Sequence, residues 1–207
     1  TNMPSILNEG AFVDNKKDIT DWNENAELKK MDVHFIDAPV SGGDVGAQKG
    51  TLAIMVGGDK DVFDRMVPVF EAMGTNINYQ GKAGCGQHAK MANQIIIAGT
   101  ISGVCEALIY AKEKGLDLQV LFDSVSTGAA GGSQLTNQGS KIIKGNYDPG
   151  FFIKHFIKDM KLAKDEAESA GLSLEVLNQA LTNYQELEDA GFGELGTQAL
   201  IKHYEKN

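Results

Sequence analysis

From His88 to Lys114 the chain runs for twenty-seven residues without a proline or a turn cluster, and Gly115 then supplies a stop. At 1.5 Å rise per residue this predicts a helix about 40 Å long. Apolar residues occupy nearly every face of its middle, so it is expected to be central and buried. Ile95–Ala111 is also the one stretch approaching the length of a membrane span, about 20 residues. Gly99, Ser102, Gly103 and Glu106 interrupt it, which favours a buried helix over a bilayer segment.

Everything after residue 85 reads as helix. Further helices are expected at 119–125, 133–144, 158–170, 174–190 and 197–206, with a glycine-rich loop at Gly128–Gly132. Before residue 86 the pattern is different. Residues 33–40 read as a strand ending in the turn Ser41-Gly42-Gly43, and residues 51–57 as a buried strand bounded by glycines. Val62, Phe63, Met66, Val67, Phe70 and Met73 recur at helical spacing, with Pro68 inside as a potential kink. A short strand at 77–80 completes a βαβ unit, for which a right-handed crossover is the rule. Gly10–Asp14 is read as another strand and Asp21–Lys30 as a polar helix. The fold class is therefore α/β followed by all-α. Residues 1–85 form the first domain and residues 86–207 a helical domain built on the long helix.

Charge and cysteine content narrow the function. The net charge of −9 disfavours a phosphate-backbone partner, and an anionic ligand would need a local site. Two cysteines, Cys85 and Cys105, are too few for a disulfide framework or a zinc cluster and read as reduced cytosolic thiols. His34, His88, His155 and His203 show no metal-ligand spacing, so no metal is expected. No signal-peptide pattern is visible in Thr1–Gly10, and a cytoplasmic location is expected.

Three stretches carry residues capable of chemistry. Asp37-Ala38-Pro39-Val40-Ser41-Gly42-Gly43 ends a strand in backbone N–H groups free of side-chain bulk, a form that binds carboxylates. An ordinary strand-to-loop turn is the plain alternative. In Gly86-Gln87-His88-Ala89-Lys90-Met91-Ala92-Asn93-Gln94, Lys90 shares a helix face with Asn93 or Gln94 and with Ile97. A lysine on a buried helix is costly unless it has a job or a partner. It can serve as a general acid or base, or snorkel at the helix end. Lys158, in Phe156-Ile157-Lys158-Asp159, reads from its own context as a surface lysine at a helix start.

Together these stretches resemble the 3-hydroxyisobutyrate dehydrogenase (β-hydroxyacid dehydrogenase) family. The matching blocks are FIDAPVSGGDVGAQKGTLAIMVGG at Phe35–Gly58, GCGQHAKMANQ at Gly84–Gln94 and GFFIKHFIKDMK at Gly150–Lys161, in family order and spacing. The Lys-x-x-Asn-Gln wording is similar to the tartronate semialdehyde reductase (2-hydroxy-3-oxopropionate reductase) branch. Asn93 and Gln94 in place of His-Asn argue against a sugar-phosphate substrate.

The resemblance implies an oxidoreductase using NAD or NADP on a small hydroxyacid and its semialdehyde, self-associating through the helical half. It implies that Lys90 is catalytic, that Asn93 hydrogen-bonds substrate, and that Ser41, Gly42 and Gly43 hold its carboxylate. It implies that Lys158 reaches the nicotinamide end of the cofactor and that Asp159 supports it. Residues 1–85 would then be the remainder of the dinucleotide-binding domain, and residues 86–207 the substrate and dimerisation domain. Family members open with a strand and a Gly-x-Gly-x-x-Gly turn that cradles pyrophosphate at a helix N-terminus. No such turn occurs in residues 1–50, where Gly42, Gly43, Gly46 and Gly50 have other spacings. The stretch Asp14-Asn15-Lys16-Lys17 also departs from the family's Asp-x-Ser-Thr. The rival expectation is a non-catalytic or truncated dimerisation or ligand-binding module that no longer binds dinucleotide.

Overall fold

The computed structural model describes Lys30 and residues 34–205, which fall into two compact units divided between Lys90 and Met91. The strand expected at Gly10–Asp14, and all of the helix expected at Asp21–Lys30 except Lys30, lie outside the described residues.

In the first unit the central strand is β3 (Leu52–Gly58). Along it, Leu52, Ile54 and Val56 are buried while Ala53 and Met55 are half-buried, as an alternating pleat requires. Two short strands, β1 (Ile36–Asp37) and β2 (Val40–Ser41), pair antiparallel with it, Ile36 opposite Gly58 and Val40 opposite Ile54. A single strand over 33–40 is thus corrected to two pieces in one register. The break falls at Pro39, which has no N–H to give; its carbonyl still accepts from the Met55 N–H at 2.9 Å. The Ser41-Gly42-Gly43 turn leads directly into a short helix absent from the sequence reading, α1 (Gly43–Lys49).

Helix α2 (Lys60–Glu71) connects β3 to β4 (Gly74–Gly81), and β4 pairs parallel with β3. This is the expected βαβ unit. Pro68 lies within α2 on its exposed side. The core is Leu52, Ile54, Val56, Phe63 and Phe70, with Ile36, Met66, Ile77 and Tyr79 packed against it.

The long helix, α3, spans Cys85–Glu113. It ends as predicted: Gly115 has φ 72°, its N–H donates to Lys112 O, and the Leu116 N–H donates to Ala111 O at 3.0 Å. The helix is buried along one stripe. Ala98, Ile101, Cys105 and Leu108 are buried, at successive spacings of three, four and three residues. Ile96 and Tyr110 are 65% and 64% exposed, and a Cβ at Gly103 would meet nothing within 4 Å. Apolar composition on every face says that each face is suited to burial, but not that one chain covers them all. By length and composition α3 could cross a membrane; here its apolar stripe is buried among the described residues.

The second unit continues with α4 (Leu118–Val125), a π turn over Gln134–Gly139, and α5 (Ser140–Ile143). Asp117 caps α4 by accepting from the Gln119 and Val120 N–H groups. Helix α6 (Ile153–Ser169) begins five residues before its predicted start. It has no side-chain cap to signal it, because its first N–H groups are taken from afar. Ile153 N donates to Leu195 O at 2.9 Å, and Lys154 N to Gly193 O at 3.2 Å. Lys158 therefore stands inside a helix, not at its start. Helix α7 (Glu175–Leu187) runs into a π turn at Glu188–Phe192; a 3-10 turn at Thr197–Leu200 and α8 (Ile201–Tyr204) follow.

Phe156 and Tyr184 meet edge-on at 5.2 Å in the core of this unit, and the buried Tyr184 hydroxyl donates to Thr197 O at 2.7 Å. Burial pushes the Cys105 thiol far above its ordinary range, with Glu106 adding to the effect. The thiolate, the reactive form, is therefore scarce. Native protein is expected to leave Cys105 unlabelled by iodoacetamide at neutral pH and to label it fully once denatured, as peptide mass spectrometry would read.

Candidate active site

The first unit brings together four of the six residues singled out in the sequence. Ser41 ends β2 half-buried, and Gly42 and Gly43 follow, exposed, with φ of 135° and 61°. Both angles lie where an L side chain is strained, so glycine is required for the turn itself. No side chain caps α1, and a Cβ on Gly43 would meet nothing within 4 Å. The turn thus exposes backbone donors without bulk. Asp44 stands in the first turn of α1 and raises the local negative charge. Lys90 reaches this turn from α3: its Nζ donates to Val40 O, one residue before Ser41, at 3.0 Å. A cationic amine beside an open backbone turn can hold a small carboxylate and exchange a proton with an oxygen bonded to the same molecule.

What sets the first turn of α3 is Asp37, which is 5% exposed. Its carboxylate accepts from the Gly84 N–H at 2.8 Å and the Gln87 N–H at 2.9 Å, 47 and 50 residues along the chain. Two glycines make room for it. A Cβ on Gly57 would lie 2.6 Å from Asp37 Oδ1, and a Cβ on Gly86 2.4 Å from Met55 O and 2.6 Å from Asp37 Oδ2. Sequence reading noticed Asp37 only as a letter in a motif. The available signal was an acid in an apolar strand, which burial makes costly unless it is hydrogen-bonded.

In the second unit Asn93, on α3, donates through Nδ2 to Gln94 Oε1 at 2.8 Å. Gln94 donates through Nε2 to Asp159 Oδ2, on α6, at 2.6 Å. Gln94 is 2% exposed and Asp159 8%, while Lys158 beside it is exposed. This pairing orients the Asn93 amide and leaves its Oδ1 outside the Gln94 hydrogen bond. In the sequence Gln94 stood out as a possible neighbour of Lys90 on one helix face and as one letter of a branch signature; its hydrogen bond to Asp159 was missed.

The spacing Gly-x-Gly-x-x-Gly does occur later, at Gly191, Gly193 and Gly196. There it follows helix α7 and not a strand, and the Gly196 N–H is spent on Tyr147 O at 2.9 Å. It is structural.

Residues 84–204 match the family described as NAD-binding of NADP-dependent 3-hydroxyisobutyrate dehydrogenase, and residues 17–81 match the NAD-binding domain of 6-phosphogluconate dehydrogenase. The chain is 50% identical over 182 residues to an uncharacterised oxidoreductase of Bacillus subtilis, covering 87% of this chain and 63% of that protein. It is 43% identical over 148 residues to the 2-hydroxy-3-oxopropionate reductase of Escherichia coli, covering 72% and 51%. Among solved structures, a 3-hydroxyisobutyrate dehydrogenase of Mycobacterium tuberculosis with L-serine superposes with a TM-score of 0.81 at 31% identity, covering 90% of this chain and 67% of that one. The chain therefore spans just over half to about two thirds of the length of these proteins.

Proposed function

The chain belongs to the 3-hydroxyisobutyrate dehydrogenase family, and from that premise we propose that it carries the substrate and proton-transfer machinery of an NAD(P)-dependent enzyme. The reaction interconverts a small β-hydroxyacid and its semialdehyde. Residues 1–85 serve as the remainder of the dinucleotide-binding domain, and residues 86–207 as the substrate and dimerisation domain. The observation that carries this reading is the Lys90 Nζ resting on Val40 O, directly beside the Ser41-Gly42-Gly43 turn.

A bound nicotinamide supplies or takes the hydride. The turn binds the substrate carboxylate through its open N–H groups, which fixes the distance from that carboxylate to the reacting carbon. Lys90 gives its proton to the carbonyl oxygen as negative charge builds there, and takes one from the hydroxyl in the oxidative direction. Asn93, oriented by Gln94, hydrogen-bonds the same oxygen. Lys158, exposed on α6, is assigned to the nicotinamide end of the cofactor in the same reading. No turn with the Gly-x-Gly-x-x-Gly spacing lies between a strand and a helix among the described residues, so no role in holding the pyrophosphate is assigned to this chain.

The decisive assay measures turnover of NADH and NADPH with a panel of short semialdehyde acids that includes tartronate semialdehyde and methylmalonate semialdehyde. Turnover of one of these supports the reading. Failure with every acid and both cofactors, by a protein that includes the pyrophosphate-binding turn, overturns it in favour of a non-catalytic module. The Ser41 hydroxyl is assigned a further hydrogen bond to the carboxylate beside those N–H groups; within an active protein Ser41→Ala is therefore expected to raise KM for the acid by about 5–10-fold with little change in kcat, since it removes a hydrogen bond made equally to substrate and transition state. Self-association of the chain through the exposed face of α3, around Ile96, Gly103 and Tyr110, is part of the same reading. Sedimentation velocity against protein concentration checks it, and Ile96→Glu is expected to leave only the monomer.

A further inference from the structure

Asp37 has a second relation to the proposed site besides capping a helix. The four residues from Asp37 to Val40 hold both ends of the Lys90 arrangement. At one end the Asp37 carboxylate ties down Gly84 and Gln87, where α3 begins. At the other, Val40 O receives the Lys90 Nζ. Gln87 precedes Lys90 by three residues, so it lies next to Lys90 on the same face of the helix. We infer that Asp37 is the positioning residue for Lys90: it sets the pose of the first turn of α3, and through it the point the lysine reaches beside the Ser41-Gly43 turn. This rests on the assignment of Lys90 in the preceding section for its catalytic meaning, though not for its geometry.

The local packing leaves this carboxylate no alternative place. Both of its oxygens would lie within 2.8 Å of a Cβ on Gly57, and Gly86 is closed in by Met55 O, Asp37 Oδ2 and Asp37 O. A carboxylate accepting two N–H groups at a helix start also meets the positive end of the helix dipole. Asparagine has the same shape but only one acceptor oxygen, and its NH2 would face a donor. Glutamate is too long for the space. The pose of Lys90 should therefore depend on the carboxylate itself and not merely on the volume it fills.

The test uses the 207-residue chain and does not need turnover. Each lysine is acylated with limiting acetic anhydride and quantified by peptide mass spectrometry in the native chain, in Asp37→Asn and in Gly57→Ala, which keeps the acid but crowds it. Circular dichroism confirms folding, and Lys60 and Lys112 serve as internal references. The expected result is a severalfold rise in Lys90 acylation relative to both references in each variant. Faster amide exchange at Gly84 and Gln87 with Lys90 acylation unchanged would show a cap that does not position the lysine, and would overturn the inference. Loss of folding in both variants would do so as well, by making Asp37 purely structural.

A kinetic arm separates this inference from the reading it rests on. In an active protein Asp37→Asn is expected to lower kcat by about 10–100-fold, the scale of a small misplacement of a catalytic group. On a Lys90→Ala background it is expected to change kcat little, whereas a general structural defect would cost the same on both. If Lys90→Ala leaves turnover intact while Asp37→Asn still raises Lys90 acylation, the catalytic assignment fails and the positioning stands.

Discussion

Replacing Lys90 by alanine is expected to lower kcat for semialdehyde reduction by about 10²–10⁴-fold, the usual worth of a placed general acid. KM for the acid should move far less, because the Ser41-Gly42-Gly43 turn that binds the carboxylate is untouched. The split between kcat and KM is the diagnostic part. An interaction made mainly with the developing alkoxide is lost from kcat, while one made equally with substrate and transition state is lost from KM. Lys90→Arg should fail almost as badly. It keeps the positive charge, but a guanidinium does not give up its proton in this pH range. Steady-state kinetics in both directions, with the melting temperature as a check on folding, reads the result. An alanine variant that keeps kcat within a factor of about two would remove Lys90 from proton transfer altogether.

The second large effect is on stability. Gly86→Ala is expected to destabilise the protein by about 3 kcal/mol, the upper end of ordinary overpacking. The added methyl would sit 2.4 Å from Met55 O and 2.6 Å from Asp37 Oδ2, one a strand carbonyl and the other a buried carboxylate already holding two N–H groups. Neither is the far end of a flexible side chain, so relief requires β3 and the start of α3 to part. For a chain of this length the melting temperature should fall by about 6–12 °C. Gly103→Ala provides the contrast. Nothing lies within 4 Å of its Cβ, and alanine is a better helix former than glycine by about 1 kcal/mol, so this variant should be neutral or stabilising. Thermal melts of the two, followed by ellipticity, decide it. Equal and small shifts would mean that the approach of α3 to β3 leaves room for a side chain at Gly86.

Much of the fold could be read from short-range rules. The absence of breakers from His88 to Lys114 and the glycine at 115 located α3 and its end, because helix propagation and C-capping depend on residues within one or two turns. The alternation along β3 and the helical spacing from Val62 to Phe70 likewise defined the βαβ unit. The likeness to a dehydrogenase family was legible too, in three blocks whose order and spacing recur.

Other features were decided only by residues far apart in the chain meeting in the fold. The start of α6 at Ile153 depends on carbonyls of Gly193 and Leu195, about forty residues away, so no local cap announced it. The sidedness of α3 depends on what packs against Ala98, Ile101, Cys105 and Leu108, which periodicity could not show in a helix that is apolar on every face. Asp37 and Gln94 acquired their roles from partners 47 to 65 residues distant. A sequence pattern records which side chains are apolar and where the backbone bends. Which buried oxygen meets which buried N–H is settled only when the elements pack, and each such meeting is enforced by the cost of leaving either group alone.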